Sequence, residues 1–271
     1  MESRTLLITG ASGYIGCSVL SAILRTKETW AANLKVSALV RSESQATKVR
    51  ELGVSPKLFS SFDELDRLEE VGEGFDIIIH AGAGWHTPSA KALIRGQGVR
   101  RQTTNADWTT DIAVIEEGEA SGMTTYIVMA PTMFGLGSGP FNRFSMQLPT
   151  MIADALRTGS CSVVFEGYTV WNHHIFRGIK IPSGRKGIYF CETGEHSHLE
   201  FSEYLAKAGH YEVVKITIQE AGEKWVFGNT SSAELGFASN SRTKAVLEST
   251  FSVELTEILR ILTVDERSLS I

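Results

Sequence analysis

The chain has 271 residues, enough for one large α/β domain or for one such domain and a small lobe. Hydrophobic residues make up 42% and charged residues 21%, which predicts a folded globular protein rather than a disordered one. A formal net charge of -5, with no Lys/Arg run longer than two residues, gives no electrostatic reason to bind nucleic acid or anionic lipid. Cys17, Cys161 and Cys191 are odd in number and widely spaced, which predicts reduced thiols in the cytoplasm rather than a disulfide framework. Met1 to Arg4 lead straight into a strand-like run, and no apolar stretch reaches the roughly 18 residues that span a bilayer, so a soluble protein with no membrane partner is expected.

In chain order, short apolar runs alternate with amphipathic segments. Strands are expected at Thr5 to Thr9, Lys35 to Val40, Lys57 to Phe59 and Phe75 to His80, with helices at Ile15 to Arg25, Ser44 to Leu52 and Phe62 to Val71. This rhythm predicts βαβ units, and the unalternating FDIIIH suits a parallel strand covered on both faces. A short helix follows at Pro88 to Ile94. Next come a helix over Asp107 to Ser121, with Ile112, Val114 and Ile115 on its apolar side, a strand at Thr124 to Met129, and a helix at Phe144 to Arg157. Beyond it the pattern weakens, to strands at Cys161 to Phe165 and Gly187 to Phe190 and helices at Leu199 to Ala208 and Leu255 to Leu262.

The motif with most chemistry is Leu6-Leu7-Ile8-Thr9-Gly10-Ala11-Ser12-Gly13-Tyr14-Ile15-Gly16. Gly10 permits the sharp turn off the strand, Gly13 admits a pyrophosphate against bare backbone, and Gly16 lets the helix pack close to the sheet. The helix N-terminus then offers N–H groups to the anion. The turn follows an apolar strand, opens a helix and precedes a second strand at the expected distance, the context of a dinucleotide site. That second strand ends in Arg41-Ser42 rather than in an acid. An acid would bond a ribose 2′-hydroxyl and repel a 2′-phosphate, whereas Arg41 neutralises one, so NADP(H) is the expected cofactor.

TGASGYIG, VSALVRS, FDIIIHAGAG and TYIVMAPTMFGLGSGPFN together resemble an extended or atypical short-chain dehydrogenase/reductase, closest to the fungal group of NAD-dependent epimerase/dehydratase or nucleoside-diphosphate-sugar-epimerase-like proteins. WNHHI and ETGEHS also fit that group. The resemblance implies that Gly10, Ser12, Gly13, Tyr14, Ile15 and Gly16 form the pyrophosphate turn, and that Arg41 with Ser42 receives the 2′-phosphate. It further implies Phe62 and Asp63 at the adenine edge, Ala81, Gly82 and Ala83 at the adenosine ribose, and Pro131, Thr132 and Met133 beside the nicotinamide.

Redox-active members of the family use a Ser or Thr on the fifth strand and a Tyr-x-x-x-Lys on the next helix, whose Lys lowers the Tyr pKa for proton exchange during hydride transfer. Here no Tyr occurs between His80 and Thr124, and Thr104 and Trp108 stand where Tyr and Lys are expected. The fifth strand itself is missing from GQGVRRQTTNAD (Gly96 to Asp107), and a second segment is lost after Trp171-Asn172-His173-His174-Ile175. Tyr211 and Lys215 match the motif by chance, far downstream.

His86, at the carboxyl edge of the sheet, is a weak candidate for a general acid or base. Trp85, Trp108, Phe134 and Trp171 are candidates to line an apolar pocket. His173, His174, His196 and His198 do not make a zinc set, and no metal is expected. With no G-x-S-x-G elbow, acyl transfer is set aside.

The expected fold is thus a doubly wound parallel sheet (Rossmann) short of one strand, with residues 1–140 as the NADP-binding domain and 141–271 as the remaining elements and a small C-terminal substrate lobe. An NADP(H)-dependent oxidoreductase of small-molecule metabolism, secondary metabolism included, is the first functional reading. A redox-inert NADP(H)-binding regulator or a non-redox isomerase or cyclase is the second, and a truncated, inactive product of an epimerase-like gene the third. The substrate and the oligomeric state, a homodimer included, stay open.

Overall fold

The computed structural model describes residues 4–27, 31, 33–99, 110–125, 127–129, 132–173, 188–190 and 194–239, with side chains undescribed at 99, 128, 129, 170–173, 188–190, 194 and 195. The chain divides into two compact units, one of Met1–Ile127, Leu136–Arg143 and Lys180–Ile188, the other of Val128–Gly135, Phe144–Ile179 and Tyr189–Ile271.

The first unit opens β1 (Arg4–Thr9), α1 (Tyr14–Arg25), β2 (Leu34–Val40), α2 (Glu43–Glu51), β3 (Ser55–Leu58), α3 (Leu65–Glu73) and β4 (Ile77–His80). The strands form a parallel sheet in the order β3-β2-β1-β4, with Leu6 opposite Val36 on one side and Ile77 on the other. Alternation along the strands builds a core on each face. Leu6 and Ile8 of β1 and Ala38 and Val40 of β2 join Leu20 of α1 and Ala46 and Val49 of α2. Leu7 and Leu39 point the other way, to Leu68 and Val71 of α3 and to Ala92 and Leu93 of the next helix. Helices on both faces of a parallel sheet make this a doubly wound Rossmann-like α/β fold.

That next helix, α4, spans Thr87–Val99 and is longer than its apolar residues suggest. Gly96 to Val99, expected to be irregular, are its last turn, and an added Cβ at Gly96 would overlap the Glu69 carbonyl oxygen of α3. Two glycines, Gly72 and Gly96, therefore let α3 and α4 approach backbone to backbone. The following helix, α5 (Thr110–Ala120), buries Ala113, Ile115, Glu117 and Gly118, whereas Ile112, expected on the apolar face, is exposed. An acid can sit inside because Arg95 of α4 reaches Glu117, Nε to Oε1 at 3.2 Å. Thr104, Trp108 and the segment expected to have lost its strand lie outside the described residues, and β4 has no second strand neighbour among those described. Phe62, expected in a helix, lies in the loop before α3.

β5 (Ile127–Met129) is shorter than expected and pairs with a later short strand, β8 (Ile188–Phe190). The second unit holds α6 (Gln147–Thr158), β6 (Ser160–Val164), β7 (Val170–His173), β9 (Gly194–Ser197), α7 (His198–Gly209), β10 (Glu212–Ile216), α8 (Ile218–Trp225) and α9 (Thr230–Phe237). β6 and β10 pair in parallel and β7 and β9 antiparallel. Capping boxes open α7 (Ser197 with Glu200) and α8 (Thr217 with Glu220), each satisfying two backbone donors that a helix start leaves unpaired. Met151, Val164, Ile216, Trp225 and Phe237 form the core of this unit. The helix expected at Leu255 to Leu262 lies outside the described residues. No described helix is long and apolar enough to cross a membrane.

Candidate functional site

The turn leaving β1 is built from backbone alone. Gly10 takes a positive φ of 67°, and a Cβ on it would stand 2.6 Å from the carbonyl of Ala81. Gly82 in turn lies so close to Gly10 that its own Cβ would meet Phe62 Cζ at 2.9 Å and Gly10 N at 3.0 Å. The glycine turn after β1 and the turn after β4 thus touch without side chains between them. Gly13 N–H donates to the Gly10 carbonyl at 2.9 Å and closes the turn, and Gly13 caps α1 with no side-chain hydrogen bond. A Cβ on Gly16 would overlap the Gly10 carbonyl oxygen, so α1 begins only one atom's width from the turn. Ser12 and Tyr14 are half-buried and Ile15 is exposed beside them.

At the end of β2, the Arg41 N–H donates to Gln45 Oε1 at 2.9 Å, and Ser42 Oγ caps α2 by accepting from Gln45 N–H at 3.3 Å. The Arg41 guanidinium makes no ion pair among the described residues. Arg41 and Ser42 line an open depression of about 570 Å³ with Glu43, Leu58, Phe59, Ser60, Glu64 and Arg67. That size lies inside the roughly 300 to 1,000 Å³ of small-molecule sites.

After β4 the chain makes an unusual turn, with Ala83, a residue carrying a Cβ, held at φ 49°. Such backbone costs on the order of 1 kcal/mol and concentrates at ligand-binding turns. His80 ends the strand. Its Nδ1 meets the Thr9 hydroxyl at 2.8 Å, Phe62 packs edge-on at 5.6 Å, and Nε2 is enclosed with no hydrogen-bond partner among the described residues. Burial, with a smaller contribution from His86, pushes the His80 pKa down to about 4, so the ring is neutral at physiological pH.

His86 has both ring nitrogens committed. Nε2 meets Asp63 Oδ1 at 3.1 Å, while Nδ1 accepts from the Ser89 N–H at 3.3 Å and so caps the start of α4. Asp63, fully exposed, is held below the usual carboxylate range by the Ser61 hydroxyl first and His86 second. Gly10, Gly13, Arg41, Phe62, Asp63, Ala81, Gly82, Ala83 and His86 all belong to the first unit. Thr132 and Met133 belong to the second, where Thr132 is buried with a hydroxyl that has no hydrogen-bond partner among the described residues, and Pro131 lies outside them.

Of the aromatic residues expected around a pocket, two have described side chains. Trp85 is 85% exposed, Phe134 packs on Phe201 at 6.0 Å in the second unit, and Trp108 with the Trp171 side chain is outside the described residues. Lys215 stands on β10 and Tyr211 just before it, four residues apart along extended chain, about 13 Å. The Lys215 amine pairs instead with Glu166. His198 is a core residue, buried with Nδ1 2.9 Å from the Thr169 hydroxyl, and burial pushes its pKa down. Among the described residues no three His, Cys, Asp or Glu side chains converge as metal ligands; His174 and Cys191 lie outside those described.

One polar centre has no signal in sequence periodicity. Asp154 of α6 is buried in the second unit, with Oδ1 2.6 Å from Arg157 Nη2 and Oδ2 3.1 Å from Ser162 Oγ and 3.3 Å from Lys224 Nζ. Burial would raise its pKa, but these three partners outweigh it and hold the carboxylate low. With Lys224 donating to Ser162 Oγ at 3.0 Å, the cluster ties α6, β6 and α8 together and is structural.

No protein-family model matches the chain. The 4-hydroxy-2-methyl-3-oxo-4-farnesyl-3,4-dihydroquinoline-1-oxide ketoreductase of Stigmatella aurantiaca is 40% identical over 76 residues, 28% of this chain and 21% of that protein. An oxidase of Acremonium sp is 32% identical over 101 residues, 37% of this chain and 28% of that protein. The matched stretch therefore spans about a quarter of the length of these relatives.

Solved structures match over far more of the chain. The dTDP-glucose 4,6-dehydratase of Streptomyces venezuelae, solved with NAD and TYD, has a TM-score of 0.56 at 15% identity and covers 79% of this chain and 84% of its own. The triphenylmethane reductase of Citrobacter sp., solved with NADP(H), has a TM-score of 0.57 at 11% identity and covers 86% and 87%. The UDP-glucose 4-epimerase of Thermotoga maritima scores 0.57 at 10% identity, over 79% and 85%. At these identities the likeness is one of fold. The chain thus shares the Rossmann-like fold of these dehydratase, reductase and epimerase structures.

Proposed function

We propose that the chain is an NADP(H)-binding oxidoreductase of small-molecule metabolism, built on the short-chain dehydrogenase/reductase plan. The observation that carries the reading is the close approach of two glycine-bearing turns, at Gly10 and at Gly82, with Arg41 opening a depression at the end of the neighbouring strand. A pyrophosphate fits bare backbone at an α-helix start, and a guanidinium suits the 2′-phosphate. Phe62 and Asp63 flank the adenine. When bound, the nucleotide supplies or accepts a hydride, and this chain's residues orient it. Residues from about 141 onward act as the substrate lobe. The names of the two curated relatives support a ketone-reducing or oxidising role in secondary metabolism. A cytoplasmic setting fits the free, buried thiols of Cys17 and Cys161.

A second reading, a redox-inert NADP(H)-binding regulator or a non-redox isomerase, is favoured by one observation. The chain between His80 and Thr124 has no Tyr, and Lys215 stands on β10 with Tyr211 just before the strand. His86, with both nitrogens engaged, serves α4 and Asp63 rather than a substrate.

Titration with NADPH and NADH, followed by nucleotide fluorescence, tests cofactor binding. Arg41→Ala is expected to weaken NADPH about 10- to 100-fold, the loss typical of a hydrogen bond to a charged group, while NADH changes less than about twofold. Equal affinity of the wild type for both nucleotides would refute the NADP(H) preference. Absence of any binding would refute the enzyme and the regulator readings alike.

A further inference from the structure

We propose that Arg67, in the first turn of α3, is a second guanidinium for the phosphate that Arg41 receives, so that the depression clamps a nucleotide 2′-phosphomonoester from two sides. This rests on the proposed NADP(H) site and adds a residue that neither motif nor resemblance marks.

Arg41 and Arg67 line the same depression from different elements, the end of β2 and the face of α3. Two arginines from separate elements suit a doubly charged phosphate, because each guanidinium presents a planar fork of donors to its oxygens. The Ser60 and Ser42 side of the lining adds small polar groups, and α2 begins beside Arg41 with its positive dipole end toward the cavity wall.

Two acids share the lining, and each is turned to another partner. Glu64 Oε2 accepts from the Ser60 N–H at 3.1 Å, and Glu43 Oε2 lies 3.6 Å from Arg50 Nη1. Arg67 itself donates to Glu70 Oε2 at 2.6 Å on the same helix, with side chains 46% and 67% exposed. An exposed pair at i, i+3 is weak and screened by salt, so the guanidinium is released readily to a dianion. Glu70 is thus the resting partner of Arg67 and competes with the phosphate.

The test measures binding of NADPH, NADH, adenosine 2′,5′-bisphosphate and 5′-AMP by calorimetry to wild type, Arg67→Ala, Arg67→Lys, Glu70→Gln and Arg41→Ala. Arg67→Ala is expected to weaken NADPH and the bisphosphate about tenfold, with NADH and 5′-AMP unchanged within about twofold. Arg67→Lys, keeping the charge but losing the fork, should recover part of the loss, and Glu70→Gln should tighten NADPH about twofold. NADPH affinity unchanged in Arg67→Ala, while Arg41→Ala loses it, would overturn the clamp and leave the NADP(H) site standing. An equal loss for NADPH and NADH in Arg67→Ala would also overturn it, by showing that the residue acts on the fold of α3. A wild type that binds neither nucleotide would overturn both proposals together.

Discussion

Replacing Gly16 with alanine is expected to cost the first unit about 3 kcal/mol and to weaken NADPH at least tenfold, because the new methyl group would occupy the position of the Gly10 carbonyl oxygen. That oxygen cannot retreat. It accepts the Gly13 N–H at 2.9 Å, and Gly10 is itself wedged against Ala81 and Gly82. The helix must therefore lift off the sheet, taking with it the amides that face the pyrophosphate in the proposed site. Gly53→Ala is the control, since Gly53 has a φ of 76° but nothing within 4 Å of an added Cβ. It should cost only the left-handed penalty, about 1 kcal/mol, and leave binding intact. Urea unfolding with nucleotide titration separates the two. A Gly16→Ala protein as stable and as tight-binding as the wild type would show that α1 does not need its close approach.

His80 should make the first unit acid-sensitive well above the range in which carboxylates titrate. Its folded pKa is lowered to about 4 from the ordinary value of 6.5, chiefly by burial. Below pH 6.5 the unfolded chain takes up a proton that the folded chain refuses, so acid favours the unfolded state. The stability from this group is complete above pH 6.5, falls as the pH drops, and levels off near 4, a loss of up to about 3 kcal/mol. His80→Asn, which keeps a partner for the Thr9 hydroxyl but does not titrate, should flatten the stability profile between pH 6.5 and 4.5. A wild-type profile as flat as that of His80→Asn would mean that the imidazole is protonated in the fold and solvated.

The first unit was legible because its signals are local. Three glycines at fixed offsets, a strand of alternating-face apolar residues on each side of the turn, and Arg41 where an acid would select NAD are all read within 40 residues. The parallel pairing follows from that rhythm, and the order β3-β2-β1-β4 comes from the structure. Ile112 was misread because the face α5 buries is set by its neighbour α4, whose Arg95 neutralises Glu117 and so lets an acid displace an isoleucine from the interior.

In the second unit, β7 and β9 are four residues each and exist through antiparallel pairing across more than twenty residues of chain, which no local pattern encodes. The helices α8 and α9 had a signal that periodicity overlooked: Thr217-x-x-Glu220 is a capping box, and Asn229 accepts from the Ser232 N–H at 2.9 Å. Arg67 was invisible for a different reason. A charged residue in the first turn of an exposed helix reads as solvated surface until β2, β3 and α3 are assembled around the same depression.

Amide hydrogen exchange with and without saturating NADPH tests most directly where the nucleotide sits. Exchange should slow in the segment from Gly10 to Cys17, in Arg41 to Gln45, and in Ala81 to Gly84, with residues 147–239 unaffected at their helix and strand centres. Binding that leaves Gly10 to Cys17 exchanging as in the free protein would contradict the nucleotide site proposed for this chain.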